Sequence, residues 1–241
     1  MNGGVCLVIL MSSRRFRFES EMAAPVFEWL RRNDLTVKTE FGTPWGICDM
    51  VGVRFRARRV RLRLSYGQRR AVGPALRLQL LSKIPDQESG AVVTFGRLHA
   101  ESFACLSSDR LRSELGHLTR GKFIACPSPG AYHKLNGWAP LHRRIVAVEL
   151  KLSKVSEALG QARSNLAFAT ESYIALPIDR ALRVAHGRHK GEITTMGVGL
   201  LGVSRTTCER LFTGSRVVGA CDEVLQAHCV ERFWRTRDNC P

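Results

Sequence analysis

Ile145-Val-Ala-Val-Glu149-Leu-Lys151-Leu-Ser153 is the stretch from which the fold is read. Four apolar residues lead into an acid, and a lysine follows two positions on. A strand carries Glu149 and Lys151 on the same face, because its side chains alternate. A carboxylate and an ammonium at the end of a core strand are costly unless paired or used. A second fragment, Trp45-Gly-Ile-Cys-Asp49-Met-Val-Gly-Val53, brings another acid on another apolar run. If the Asp49 strand lies beside the Glu149 strand, one face carries two carboxylates and a lysine. Two carboxylates suit a hard divalent cation such as Mg²⁺ or Mn²⁺. Such a cation polarises a phosphate and acidifies a water, while the lysine orients that water or neutralises developing charge. The plainer reading makes Glu149 and Lys151 a surface ion pair, worth little, and Asp49 a turn residue.

Upstream, Ser20 to Arg32 reads as a helix. Ser20 is the candidate N-cap, Pro25 sits in the first turn, and Val26, Phe27 and Leu30 share a face. Residues 35–55 read as a hairpin, with Leu35 to Phe41 and Ile47 to Phe55 as its strands and Gly42 to Trp45 as the turn.

From Met50 to Pro85 there is no acid and there are ten basic residues. Arg54, Arg56 and Arg58 alternate with Val53, Phe55 and Ala57. Arg59, Arg61 and Arg63 then alternate with Val60, Leu62 and Leu64. A period of two predicts a strand with an arginine face, and the doubled Arg58-Arg59 predicts a bulge or turn. Six like charges on one strand face repel each other, which favours an anionic partner over a merely solvated face.

Residues 74–84, 94–105 and 107–118 read as helices. In the third, Ser108 is the candidate cap and Leu111, Leu115 and Leu118 share a face. Gly121 to Ala125 and Ala131 to Leu135 read as a hairpin. The order helix, helix, helix, hairpin resembles a winged helix-turn-helix domain, best in LRSELGHLTRGKFIACPSPGAYHKL. The resemblance implies that the third helix enters the major groove and the hairpin touches backbone. It puts Ser107, Arg110, Arg112 and Ser113 on or near the reading surface. Arg120, Lys122, His133 and Lys134 would then lie near phosphates. The plainer alternative is an ordinary helix-plus-hairpin insertion.

Downstream, Arg144 to Leu152 is a strand, Val155 to Phe168 a helix, and Ser172 to Leu176 a strand stopped by Pro177. A helical or loop region runs to about Gly191. Met196 to Val203 reads as a buried strand and 221–235 as an amphipathic helix. With 57–144 set aside, the remainder is a mixed α/β core.

That core resembles the PD-(D/E)XK nuclease superfamily, the restriction-endonuclease-like fold. A helix bearing Glu21 and Glu28 precedes the first strand. GICDMVGV stands at the aspartate strand and VAVELK at the E-x-K strand. Gln161 follows in ALGQARSN, and SYIALP and GVGLLGV match later core strands. The resemblance implies that Asp49, Glu149 and the Leu150 carbonyl hold Mg²⁺. It implies that Lys151 assists the water and that Gln161 orients a phosphate or water. Glu21 would be an additional or supporting ligand. Two features depart from the pattern: Cys48, not proline, precedes Asp49, and 100 residues separate Asp49 from Glu149. The expected layout is an extension over 1–18, a core over 19–56, a basic winged-helix-like insertion over 57–144, and the second core part with its terminal helix over 145–241.

The chain has 241 residues, 37 Lys+Arg against 21 Asp+Glu, and a net charge of +16. Its hydrophobic fraction of 44% is that of a folded protein. The charge points to nucleic acid, an anionic membrane surface or an acidic protein. No apolar run approaches the ~20 residues of a spanning helix, and no basic amphipathic helix stands out, so a membrane partner is disfavoured. Val5 to Met11 is apolar, but its arginines follow it, the reverse of a secretory signal. The eight cysteines form no CxxC pair, and free thiols in a cytoplasmic protein are the simplest reading. Cys221, His228, Cys229 and Cys240 match no usual zinc spacing.

The expected activity is a Mg²⁺-dependent endonuclease on double-stranded DNA, of restriction or defence type. The alternative is a DNA-binding regulator on an inactive nuclease-like fold. RNA binding is disfavoured by the 7% aromatic content. A homodimer would suit double-strand cutting of a symmetric site.

Overall fold

The computed structural model describes residues 16–135, 140–214 and 221–234. The apolar stretch from Val5 to Met11, and Cys240 of the zinc spacing, lie outside the described residues.

A 3-10 turn, Glu19–Met22, leads into helix α1 (Ala23–Arg32) and the strands β1 (Thr36–Thr43) and β2 (Gly46–Phe55). Then come α2 (Ala57–Ser65), α3 (Ala75–Lys83), the short β3 (Val93–Thr94), α4 (Phe95–Ser102) and α5 (Ser108–Arg120). The strands β4 (Ile124–Ser128) and β5 (Ala131–Lys134) follow, then β6 (His142–Leu150), α6 (Val155–Asn165) and β7 (Glu171–Pro177). The chain continues through α7 (Ile178–His186), α8 (His189–Thr195), β8 (Val198–Val203), β9 (Cys208–Phe212) and α9 (Glu223–Trp234).

These elements form two units. The first runs to Arg54 and resumes from Arg144 to Cys221; the second is Phe55–Arg143 plus the chain from Asp222. In the first, one mixed sheet has the order β1-β2-β6-β7-β8-β9. β1 and β2 are antiparallel, β6, β7 and β8 are parallel neighbours, and β9 returns antiparallel on β8. The parallel pair β6–β7 needs a crossover, and α6 supplies it. Every residue from Ile145 to Leu150 is buried, the mark of a strand covered on both faces. Met22, Val26 and Leu30 pack with Val146, Val148 and Leu150 in one cluster. Leu159 and Ala162 of α6 and Ala181 of α7 pack with Ile174, Leu176 and Leu200 in another. The architecture is α/β, with helices flanking a mixed six-stranded sheet.

The second unit has a three-stranded antiparallel sheet in the order β3-β5-β4. Leu78, Leu81, Leu98, Leu111, Leu115, Leu118 and Phe123 form its core. Its first segment closes on itself: the Arg56 N–H donates to the Leu141 carbonyl at 2.7 Å.

Several expectations are corrected. The arginine-rich alternation is a strand only as far as Phe55, and Ala57–Ser65 is helix. Its buried residues are Val60 and Arg63, three apart, while Leu62 and Leu64 are exposed. Alternation of arginine and leucine is compatible with a helix because both are good helix formers. The core contacts then select the 3.6-residue period. Ser20 caps nothing: it lies inside the 3-10 turn, and Met22 precedes α1 as its cap residue. Ser107, not Ser108, caps α5, its hydroxyl accepting the Arg110 N–H at 3.2 Å. Strand β9 was not anticipated. Helix α9 joins the second unit, not the sheet: Val224 and Ala227 pack against the Leu78–Phe123 cluster.

Candidate active site

Asp49 of β2 and Glu149 of β6 stand on neighbouring strands. One Asp49 oxygen accepts the Leu150 N–H at 2.7 Å. Its charge and that of Glu149 act on each other. Glu149 is buried, and its Oε1 accepts a hydrogen bond from Asn165 Nδ2 at 2.6 Å. Burial pushes the Glu149 carboxyl up to about 7, the nearby Asp49 charge pushes the same way, and Asn165 opposes both. Asp49 is raised too, by burial first and by Glu19, against the pull of the Leu150 N–H and Lys151. Burial and like charge therefore both favour the neutral form of Glu149, which holds its proton up to about pH 7.

Lys151 lies just past β6. Its Nζ is 3.5 Å from Glu19 Oε2 and 3.6 Å from Glu157 Oε1. Burial pulls its pKa down, but Glu19, Asp49 and Glu157 together hold it above the ordinary lysine value. The group is therefore an ammonium donor and not a base.

Glu19 was missed in the sequence. Its Oε1 accepts the Leu152 N–H at 3.1 Å while its other oxygen faces Lys151. Glu21, the expected helix acid, instead accepts from the Arg17 N–H at 2.6 Å and pairs with Arg205 at 3.3 Å. Glu21 is therefore corrected to a structural clamp on its own turn. Two positions around a 3-10 turn point in different directions, and only the packed turn shows which faces the sheet. Asn165 was missed as well. It lies one helical turn beyond Gln161, so the i, i+4 rule could have found it once α6 was placed. Gln161 is partly buried, and its Oε1 makes no hydrogen bond to the described residues. Cys48 is buried beside Glu149, and that burial raises its thiol well above normal, so it is not a nucleophile.

The donor set can be tested against the expected cation. Among the described residues, no group of three His, Cys, Asp or Glu is placed to hold a metal. Mg²⁺ keeps several waters and takes only one or two carboxylates, so the Asp49–Glu149 pair fits it. The Leu150 side chain is in the core, so that residue can contribute only its backbone carbonyl.

The expected phosphate contacts separate into groups. Arg63 is corrected: it is fully buried, bidentate on Glu231, and its guanidinium lies 4.2 Å from the Trp234 ring centre. It belongs to the core of the second unit and cannot touch DNA. Arg54 pairs with Asp34 at 3.2 Å. Lys134 is held by the Leu81 carbonyl at 3.3 Å and by Asp86 at 3.4 Å. Arg110 pairs with Glu114 at 2.7 Å, and Arg112 lies over Phe95 at 4.8 Å. Arg56, Arg58, Arg59, Arg61 and Lys122 are exposed. His142 loses proton affinity through burial, and the Arg56 charge pushes the same way. No described helix is long and apolar enough to cross a membrane.

No family model and no curated protein matches the chain. Among solved structures it is similar to SPO1766, a protein of unknown function from Silicibacter pomeroyi. The identity is 10% and the TM-score 0.40, over 92% of this chain and 93% of that one.

Proposed function

We propose that this chain is a Mg²⁺-dependent phosphodiester hydrolase acting on DNA. The observation that carries the reading is the placement of Asp49 and Glu149 on the neighbouring strands β2 and β6, with Asp49 held by the Leu150 N–H and the Lys151 ammonium held by Glu19 and Glu157. A bound Mg²⁺ would supply Lewis acidity and a more acidic water. Asp49 and Glu149 would hold the ion, and Asn165 fixes the orientation of Glu149. Lys151, kept charged by its three acids, donates to a phosphate oxygen or to the attacking water and stabilises developing negative charge. Glu19 fixes Lys151 from behind, and its second bond to Leu152 keeps that brace in register. This arrangement, on a mixed sheet entered by a helix and crossed by α6, supports the restriction-endonuclease-like reading of the core.

DNA as the substrate is supported by the +16 charge and by the second unit. Its element order, α3-β3-α4-α5-β4-β5 with the sheet order β3-β5-β4, fits a winged helix. On that reading α5 presents Arg110 and Arg112, and the exposed arginines of α2 add phosphate contacts. DNA affinity then falls steeply with salt. The regulator alternative keeps the second unit and gives up the chemistry.

The test incubates purified protein with plasmid and linear DNA, with Mg²⁺ or with a chelator. Cleavage should require the metal. Asp49→Ala and Lys151→Ala should abolish cutting and leave binding intact. Cutting that survives in both variants refutes the site. Binding without cutting, in wild type on every DNA tried, favours the regulator.

A further inference from the structure

The proposed chemistry leaves the exposed indole of Trp45 unused, although it is bonded to the carboxyl cluster. Trp45 is 43% exposed and lies in the turn between β1 and β2. Its Nε1 donates to Asn165 Oδ1 at 3.3 Å, and the same Asn165 donates to Glu149 at 2.6 Å. One amide side chain therefore spans the distance from the indole to the proposed metal ligand. The indole also packs on Phe168, its centre 6.2 Å away, and Phe168 stacks on Phe41.

The partly open indole, packed on Phe168, offers a flat face to a planar ligand. A flat ring next to a phosphate-binding centre on a strongly basic chain has a natural counterpart in a nucleobase. Stacking requires an accessible base face, which an intact duplex does not offer. We infer that Trp45 forms a base-stacking platform, and that the strand cut is one whose bases are unstacked at the scissile phosphate. This names the substrate class of the proposed hydrolase as single-stranded or locally melted DNA. It rests on that reading for the cut alone, and not for the binding.

The experiment measures binding in a chelator, where no cutting occurs. The probes are a labelled single-stranded oligonucleotide of mixed sequence, the same strand carrying abasic residues, and the matching duplex. Wild type should bind the intact strand about tenfold or more better than the abasic one. Trp45→Ala should bind both alike, at the weaker value, and Trp45→Phe should restore most of the difference. The strand should quench the fluorescence of wild type more than that of Trp45→Phe. If wild type does not discriminate the abasic strand, or Trp45→Ala keeps the discrimination, the platform is refuted. A preference for duplex that is unchanged in Trp45→Ala also refutes it. If the binding pattern holds and Mg²⁺ produces no cutting, the platform stands and only the hydrolase reading falls.

Discussion

Glu149→Gln should stabilise the protein at alkaline pH while removing its proposed activity. The Glu149 carboxyl titrates at about 7 in the folded chain, against 4.5 for a free side chain. The folded state therefore binds this proton more tightly than the unfolded state does. The associated stability is fully present below pH 4.5 and is lost as the pH rises through about 7. At 1.36 kcal/mol per unit, that shift puts the loss by pH 8 at about 3 kcal/mol. Glutamine is neutral throughout. Its oxygen can still accept from Asn165 and its amide can donate to Asp49, so packing and hydrogen bonds persist. The variant should match wild type near pH 5 and exceed it by about 2–3 kcal/mol at pH 8. Urea unfolding in a chelator at pH 5, 6, 7 and 8 measures the difference. Other groups titrating in this window, His142 among them, are common to both proteins and cancel. Added Mg²⁺ at pH 8 should stabilise wild type, because it offsets the carboxylate repulsion, and should have far less effect on the variant. A difference that does not change with pH, or a variant weaker than wild type at pH 8, refutes the account of Glu149 as a buried acid with a raised pKa.

Glu19→Gln should slow metal-dependent cutting by about 10–100-fold, as loss of a supporting contact does, while Glu21→Gln should change it little; single-turnover cleavage separates them. Arg63→Met alone should cost about 3–5 kcal/mol in urea, because it strands the buried Glu231 carboxylate, and adding Glu231→Leu should recover most of that. Gly199→Ala should destabilise by about 1–3 kcal/mol, because its methyl would sit 2.4 Å from Cε1 of the Tyr173 ring and 3.0 Å from the Phe212 carbonyl; thermal melts compare it with wild type.

What could be read from the chain was whatever a short local pattern records. The continuous apolar run of 145–148 ending in Glu149 and Lys151 indicates a strand buried on both faces. The caps and leucine spacing of 107–118 indicate α5. What could not be read depended on partners distant in sequence. Arg63 looked like one of six equivalent arginines, until Glu231, 168 residues on, was found to bury it. The pattern over 57–64 fits two periods, and only the core contacts of Val60 and Arg63 choose the helix.

The site divides in the same way. Asp49, Glu149 and Lys151 were legible because each ends or follows an apolar run, where a charge needs a reason to be. Glu19 and Asn165 were not. Each matters only through a bond across the fold, to Lys151 and Leu152 in one case and to Glu149 in the other. The sequence by itself determined the chemical types available: acids on core strands, a lysine beside them, and an excess of arginine. Tertiary structure alone decided which acid is buried and keeps its proton toward neutral pH, which arginines face solvent, and which aromatic side chain is both open and bonded to the cluster. Side-chain chemistry is local to a residue, whereas pKa, exposure and hydrogen-bond partners belong to the neighbours that folding brings together.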